Sequence, residues 1–413
     1  MKKRLISVLT VILCLGITLS VFFISRVETK AEGDNLLIGV SDISVNFDAA
    51  SAGKYVTVTV YIENASALEA MTFFVKTPAG LKFGSVSTNC FAPPMGVDKD
   101  DYICTAGLQE KNILGFSYND NNVACSFASA SPLTSPYLEI LEITFEVAKA
   151  DFKIDDAFNI EATPGKVYVW NGEDHTKLPL SGVQKSPGSV SFYKYDEFTE
   201  PAESLFIAEA VDAENATIKE YVGSGYSNIK IPDEIIINDG GAYDGMPLPV
   251  TKLDNGAFEG KQEITHISVP ASVTEIDERA FKNLNGLKAF DCDEKDMVHK
   301  FSAKKGALYD NTADKKLLAY PAGKLDKGFI LTDGDAAYIA EYAFNGAKNL
   351  EFIYLPKSFK GPSGIKDDPG SPDFRTFFTG CVNLKNVFVD SEFEKEDGIG
   401  YFSDDGVLYY GPI

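Results

Sequence analysis

The amino-acid sequence predicts a mainly β protein, with an N-terminal jelly-roll-like β-sandwich and a C-terminal solenoid that has short helical turns. In the first half of the 413-residue chain, turn-rich segments separate apolar segments of strand length, and no long helical period intervenes. The second half contains an internal repeat of phenylalanine and aliphatic residues, which is typical of stacked repeats. A chain of this length suffices for two or three domains with separate cores.

The sandwich prediction depends on six apolar segments. The pattern is clearest at Val56–Ile62, where valines alternate with threonines and give one apolar face. The six candidate strands are Val56–Ile62, Met71–Val75, Ile113–Tyr118, Leu138–Val147, Val167–Trp170 and Gly188–Phe192. Two packed sheets are the natural closure for strands that bury one face each.

Four segments of the second half share one frame. A phenylalanine is followed six residues later by an aliphatic position, and apolar positions come three and five residues after that. The four segments are Phe258/Ile264/Ile267/Val269, Phe281/Leu287/Phe290/Cys292, Phe344/Leu350/Ile353/Leu355 and Phe378/Leu384/Val387/Val389. Neither the turn at the phenylalanine nor the short strand buries its apolar side alone, so we expect the segments to stack on one another.

The first half resembles a cohesin-type domain. The stretch Gly53-Lys54-Tyr55-Val56-Thr57-Val58-Thr59-Val60 is similar to an early strand of that family, and Gly80–Val86, Leu141–Val147 and Gly188–Val190 fit later ones. The family's Tyr-Asp-Pro is replaced by Lys76-Thr77-Pro78-Ala79, which puts the family's binding role in doubt more than its fold. The resemblance implies a sandwich that captures dockerin modules or carbohydrate.

The second half resembles the BspA-type leucine-rich repeat. Val250-Thr251-Lys252-Leu253 and Val273-Thr274-Glu275-Ile276 match its opening, and the alanine before Phe258, Phe281 and Phe344 matches its Ala-Phe pair. Two inserted modules also fit, one at Lys305–Tyr309 with Leu318–Lys324 and one at Asp405–Tyr409. The resemblance implies an extracellular recognition surface. Because the second module stops at Ile413, we expect the protein to continue beyond it.

The expected organisation is an export signal at 1–31, a cohesin-like sandwich at 35–195, a polar linker at 196–204 and leucine-rich repeats at 205–413. Lys2, Lys3 and Arg4 precede an apolar run from Leu5 to Ile24, which is typical of export signals. The run is also long enough to remain as an N-terminal membrane anchor. Both alternatives place the protein in the secreted fraction or on the surface of a bacterium, and the two domains are expected to fold independently.

Charge narrows the classes of partner. The formal net charge is −22, and residues 1–31 carry +4, so the remainder carries −26. So acidic a protein repels nucleic acid and anionic lipid, which leaves an extracellular protein or a polysaccharide as the expected partner. Five cysteines remain after the signal, and Cys90 and Cys104 either form a disulfide or stay as thiols.

The sequence contains no familiar catalytic arrangement. Its three histidines, His175, His266 and His299, lie in no metal-ligand spacing, and neither a phosphate loop nor a Gly-x-Ser-x-Gly motif occurs. Acidic runs such as Asp98–Asp101 lack the spacing of an EF-hand loop. We therefore expect no enzymatic activity, no cofactor and no metal.

Five aromatic residues are candidates for ligand contact. In each repeat strand the residues between the inward positions must face outward, and in the last two repeats these include Phe352, Tyr354 and Phe388. They are either an exposed binding patch or are covered, by the insertion Gly361–Arg375 or, for Phe388, by a further repeat turn after Ile413. Tyr168 and Trp170 share one strand face, where they either stack on a sugar or pack against the other sheet.

The sequence thus favours a non-catalytic, adhesin-like binding protein. The alternatives are a scaffold that recruits dockerin-bearing enzymes and the non-catalytic part of a larger secreted hydrolase.

Overall fold

The computed structural model describes most of the two predicted domains. The described residues are 36–50, 54–65, 67–87, 112–119, 121–129, 133, 137–147, 153–154, 156–292, 300–312, 315–332, 334–355, 361–362 and 377–389. The predicted mainly β fold class is confirmed. The export signal at 1–31, the Cys90/Cys104 pair and the module at 405–409 lie outside the described residues. Within the described part of the chain, no helix is both long and apolar enough to cross a bilayer.

The N-terminal sandwich consists of short and medium strands. They are β1 (Leu37–Val40), β2 (Ile43–Asn46), β3 (Lys54–Glu63), β4 (Leu68–Lys76), β5 (Lys82–Ser87), β6 (Asn112–Asn119), β7 (Asn122–Ser129), β8 (Tyr137–Val147), β9 (Ala157–Ile160), β10 (Ala162–Trp170), β11 (His175–Leu178), β12 (Gln184–Ser186) and β13 (Gly188–Tyr193). A single helical turn, α1 (Phe47–Ala50), follows β2, and a 3₁₀ turn spans Leu180–Gly182.

Two five-stranded sheets face each other in this sandwich. Sheet I has the order β12-β1-β3-β8-β5, sheet II has the order β11-β10-β4-β7-β6, and β2-β13-β9 form a small third sheet. Valines of β3 point inward, and Val58 meets Ile143 across the antiparallel β3–β8 pair. From sheet II, Met71 and Phe73 are fully buried against them. The two-residue alternation of the sequence is therefore the alternation between core and outer face.

The second half, residues 205–389, is called the repeat region below. Its strands are β14 (Phe206–Ala210), β15 (Ala216–Tyr221), β16 (Asn228–Lys230), β17 (Glu234–Ile236), β18 (Pro247–Leu253), β19 (His266–Val269), β20 (Glu275–Ile276), β21 (Ala289–Cys292), β22 (Phe301–Lys304), β23 (Ala307–Asp310), β24 (Lys316–Ala319), β25 (Gly328–Ile330), β26 (Tyr338–Ile339), β27 (Phe352–Leu355), β28 (Gly361–Pro362) and β29 (Asn386–Val389).

Successive repeats add parallel strands side by side. One parallel ladder has the order β16-β19-β21, and a second has the order β25-β27-β29. Pairing is in register, so that His266 lies opposite Ala289 and Tyr354 lies opposite Phe388. The residues expected to face inward do so, since Ile267 and Ile353 are fully buried. A hairpin, β22–β23, separates the two ladders along the chain.

The phenylalanines of the repeat frame form stacked columns. Phe258 and Phe344 are fully buried, and Phe281 is partly buried against the same core. The Phe258 ring stacks on Phe281 at 5.7 Å between centroids, and Phe344 stacks on Phe378 at 5.6 Å. The segments before them are single turns rather than α-helices, because the alanine N–H bonds three residues back, as from Ala257 to the Asp254 carbonyl at 3.1 Å.

The segment expected to be a linker is packed against the first repeats. Asp196 accepts hydrogen bonds from the backbone N–H groups of Ser227 and Asn228 at 2.6 and 2.7 Å. The Phe198 ring contacts Phe206 and Tyr226, and α2 (Ala202–Leu205) lies at its end. Residues 196–204 are therefore not a loose connection.

The buried columns should dominate the stability of the repeat region. We expect Phe344→Ala to lower the free energy of unfolding by about 3–5 kcal/mol, because it leaves a cavity between Tyr320 and Phe378. Phe74→Ala is the matched control, since this phenylalanine is 51% exposed, and should cost less than about 1 kcal/mol. Urea unfolding of the full chain measures both. Equal losses for the two variants would contradict the stacked-column geometry.

Candidate functional site

The outward face of the repeat strands is partly covered by the sandwich. Three residues at outward positions of the parallel ladders are buried, with His266 5%, Phe352 6% and Tyr354 1% exposed. They contact the outer face of sheet I and the chain just after β13. The two domains thus share an extended interface, made of one apolar part and two polar parts.

The apolar part is centred on Tyr137 of β8. Its ring lies 6.3 Å from the Phe352 ring and 6.4 Å from the Tyr354 ring, measured between centroids. The Tyr354 hydroxyl donates a hydrogen bond to the Tyr137 carbonyl at 3.0 Å. Gly328 of the neighbouring strand lies under the same ring, since a Cβ atom there would come within 2.4 Å of it. Glycine at 328 therefore allows the close approach of the two domains.

The first polar part joins lysines of the repeat region to carboxylates of sheet I. Lys305 and Gly306 form the two-residue turn of the β22–β23 hairpin, and both have positive φ. The Lys305 ammonium lies 2.8 Å from a Glu139 oxygen and 3.1 Å from a Glu142 oxygen. Burial lowers the pKa of Lys305, but the attraction of Glu139 and Glu142 outweighs it and raises the pKa overall. The lysine is therefore held as a cation.

The second polar part lies at the other end of the interface. The hydroxyls of Tyr193 and Tyr195 both donate to Asp291 of β21, at 2.8 and 3.1 Å. The Tyr193 ring stacks on the His266 imidazole, with centroids 3.7 Å apart. Burial, and then the Asp291 charge, raise the pKa of both tyrosines. Both hydroxyls therefore stay protonated and can keep donating to the carboxylate.

Of the two alternatives for the repeat aromatics, the structure shows cover for the two whose side chains are described, since Phe352 and Tyr354 are buried. Phe352 and Tyr354 do point out of the repeat core, and β27 and β29 are neighbours as expected. The sandwich covers these two side chains. Phe388 occupies the expected strand position beside Tyr354, but its side chain lies outside the described residues. Of the insertion, only 361–362 are described.

The other aromatic pair is on an open surface. Tyr168 is 36% exposed and Trp170 is half-buried, and both lie on the outer face of sheet II. Val167 and Val169 point from the same strand into the core. Of the two alternatives for Tyr168 and Trp170, packing against the opposite sheet is therefore wrong. Sugar stacking remains a prediction.

Phe74 of β4 extends this open surface. It is 51% exposed and faces outward, since Phe73 and Val75 on either side are buried. Tyr168 lies opposite Ala70, four residues from Phe74, so the backbone positions of the two aromatic residues are about 13 Å apart along the strand. Phe74, Tyr168 and Trp170 are called the aromatic row below.

A β-bulge shapes the middle of the aromatic row. The β4–β10 register shifts between Pro164 and Val167, and the Lys166 N–H donates to the Thr72 hydroxyl at 2.7 Å. A Cβ atom at Gly165 would come within 2.4 Å of that hydroxyl and 3.5 Å of the Phe74 ring. Because Gly165 has no side chain, no atom projects from this residue between the aromatic rings of the row.

A hydrogen-bonded pair flanks the Trp170 end. His175 lies 5.2 Å from the Trp170 ring in an edge-on contact, and its Nδ1 lies 2.7 Å from a Glu69 oxygen. This hydrogen bond, and then the carboxylate charge, raise the pKa of His175. The pair fixes the ring beside Trp170. An exposed aromatic edge with hydrogen-bonding groups beside it can stack on and orient a ligand.

The described residues bring together no group of histidine, cysteine and carboxylate side chains suited to a metal ion. Glu139 and Glu142 both form ion pairs with Lys305, so these two carboxylates contribute to the interface between the domains.

Sequence reasoning missed two features of the site. Phe74 is the second residue of a Phe-Phe pair, and strand alternation sends one of any such pair outward. The sequence places Lys305-Gly306 in an inserted module, but does not show that this pair is the hairpin tip that contacts the sandwich. Its signal was a Lys-Gly pair between two short apolar segments.

Comparison with known families identifies part of the repeat region. Residues 244–303 match the model of the BspA type leucine rich repeat region. The suspected BspA-type repeats are therefore present over these residues. No match was found among curated protein sequences.

Solved structures similar to parts of the chain include cohesins and a surface protein. A non-cellulosomal cohesin from the archaeon Archaeoglobus fulgidus is 13% identical over 38% of this chain and 91% of its own, with a TM-score of 0.26. The seventh ScaB type I cohesin from Pseudobacteroides cellulosolvens is 13% identical over 40% and 96%, with a TM-score of 0.28. A leucine rich cell surface protein from Faecalibacterium prausnitzii is 15% identical over 48% and 90%, with a TM-score of 0.22.

The interface should contribute to the stability of the whole chain. We expect Tyr354→Ala to lower the free energy of unfolding by about 3 kcal/mol, because it empties the contact with Tyr137. Tyr354→Phe keeps the ring and loses only the hydrogen bond, so it should cost about 1 kcal/mol. Chemical denaturation of the full chain tests the pair. A loss below about 1 kcal/mol for Tyr354→Ala would mean that the domains do not dock through this residue.

His266 should make stability depend on pH. Burial, and then the Lys288 charge, lower its pKa to about 4 from an ordinary 6.5. Its Nδ1 lies 2.8 Å from the Asn228 side-chain oxygen, and no described group lies within hydrogen-bonding distance of Nε2. The unfolded chain therefore binds the proton first as the pH falls. The stabilisation present above pH 6.5 should decrease by about 3 kcal/mol as the pH falls to 4.

The His266→Gln variant separates this effect from carboxylate titration, since Asp291 and the other acids remain. Urea unfolding between pH 4 and 7 should show a steeper loss for the natural protein than for the variant. Parallel curves for the two proteins would contradict a neutral, buried His266.

Proposed function

We propose that this chain is a non-catalytic binding protein of the bacterial cell exterior, and that the outer face of sheet II takes its ligand. The observation that carries the proposal is the aromatic row, exposed on one sheet while much of the opposite sheet contacts the repeat region. Exposed aromatic side chains on a rigid surface are enriched where proteins bind other molecules.

The surroundings of the aromatic row suit a ligand that lies flat. Thr72 of β4 lies opposite Ser126 of β7, and Ala124 lies opposite Phe74; Thr72, Ala124 and Ser126 all have short side chains. Because they lie on hydrogen-bonded strands, a ligand would not need to order them, which lowers the entropic cost of binding. Hydroxyl groups between aromatic rings offer both stacking and hydrogen bonds.

The ligand class follows from the same surface. The side chains of Lys76, Lys166 and Lys177 are exposed on this face of an acidic protein. Lysines around an aromatic row favour a neutral or acidic ligand, such as a polysaccharide or an acidic protein surface. The resemblance of the sandwich sequence to cohesin-type domains makes a dockerin module one protein of this kind.

The repeat region then acts as a support. Its outward strand face contacts sheet I, so Phe352 and Tyr354 hold the sandwich. Export of the chain is supported by the basic and apolar pattern at its N-terminus.

The proposal is tested with the full chain, a polysaccharide array and a set of purified dockerin modules. We expect saturable binding to one of these classes. Tyr168→Ala and Phe74→Ala should each weaken it about tenfold, since each removes one stacking contact. Their melting temperatures should stay within a few degrees of the natural protein.

Ile207→Ala is the control, because Ile207 is 49% exposed but lies on the repeat region. Binding that is unchanged in both aromatic variants, or that weakens equally in the control, would show that the ligand does not use the aromatic row.

A further inference from the structure

We propose that the cleft between the two domains is a second binding site, for a neutral oligosaccharide. The cleft has a volume of about 580 Å³, which is within the range of sites for small ligands. One wall comes from β2, β3 and β13 of the sandwich, and the other from β21 and the turns around 305 and 324. It lies on the opposite side of the sandwich from the aromatic row and does not depend on the function proposed for that row.

The sandwich wall of the cleft carries a group of hydroxyls. The Ser189 hydroxyl donates to an Asp42 oxygen at 2.7 Å, and the hydroxyls of Ser44 and Ser191 lie 3.3 Å apart. Thr57 lines the cleft beside them. Each hydroxyl can both donate and accept, and each carboxylate oxygen can accept more than one hydrogen bond. Such a wall matches the many hydroxyls of a sugar.

The opposite wall presents fixed donors and acceptors. The Lys324 ammonium donates to the Lys305 carbonyl at 2.8 Å and lies 2.9 Å from an Asp326 oxygen. Lys288 lines the same wall and is exposed. Because Lys305 is anchored to Glu139 and Glu142, the backbone around it is held in place without a ligand. The wall is therefore preorganised.

The balance of charge in the cleft favours a neutral ligand. The residues that line the cleft include four carboxylates and four lysines, so its formal charge is zero within a protein of −22. The carboxylates are Asp42, Glu142, Asp291 and Asp326, and the lysines are Lys288, Lys304, Lys305 and Lys324. An anion would meet the carboxylates and a cation would meet the lysines. A neutral molecule with many hydroxyls can bond to both.

The mouth of the cleft offers a surface for stacking. Tyr55 of β3 is 62% exposed and Leu325 is 73% exposed, and both line the cleft. The Tyr55 ring rests near Gly84, where a Cβ atom would be 3.4 Å from it. An exposed tyrosine ring in this position can stack on the apolar face of a pyranose while the hydroxyl wall bonds to its edge.

The test uses isothermal titration of the full chain with neutral oligosaccharides of glucose, xylose, mannose and N-acetylglucosamine. Oligogalacturonate serves as the charged comparison. We expect one neutral oligosaccharide to bind saturably. Tyr55→Ala should weaken it about tenfold, through loss of the stacking contact. Ser189→Ala should weaken it as well, and neither variant should change the melting temperature appreciably.

Tyr168→Ala separates this site from the aromatic row, since it should leave binding in the cleft unchanged. The proposal is overturned if no neutral oligosaccharide binds, or if only oligogalacturonate binds. It is also overturned if Tyr55→Ala and Ser189→Ala leave binding intact while Tyr168→Ala abolishes it. That last result would still support the function proposed for the outer face of sheet II.

Discussion

Glu139 and Glu142 lie beneath the repeat region, where two carboxylates without a cation would be costly to bury. The Lys305 ammonium lies between them, and it reaches them because Lys305 is the first residue of a two-residue hairpin turn. Lys327 does the same for the buried Glu63, at 2.9 Å. The apolar contacts around Tyr137 can form only where these charges are satisfied. The ion pairs therefore fix the position at which the two domains meet.

Docking leaves the two sheets of the sandwich in different environments. The outer face of sheet I meets the repeat strands and carries tyrosines and glutamates, whereas the outer face of sheet II meets solvent and carries the aromatic row. A sandwich alone would expose both faces equally. The repeat region thus determines which face is available, and the cleft exists only because the two domains come together.

Local patterns predicted much of this fold. Two-residue alternation identified strands such as β3 and β8, and the spacing from phenylalanine to aliphatic positions identified which repeat residues point inward. The same spacing predicted that Phe352 and Tyr354 point away from the core of the repeat region. The spacing could not show that these side chains are covered. An outward-facing residue has the same place in the alternation whether it packs against a second domain or faces water. Contacts such as Tyr137 with Gly328 join positions far apart in sequence, and no short motif records them.

The sandwich contacts both parallel ladders of the repeat region, through His266 in the first and Tyr354 in the second. In an isolated array, each stacked repeat contacts only its neighbours, so no long-range contact fixes the curvature of the array. Here one rigid body is attached at two separated points along the array, with the β22–β23 hairpin between them. The sandwich therefore constrains the curvature of the array between these two points.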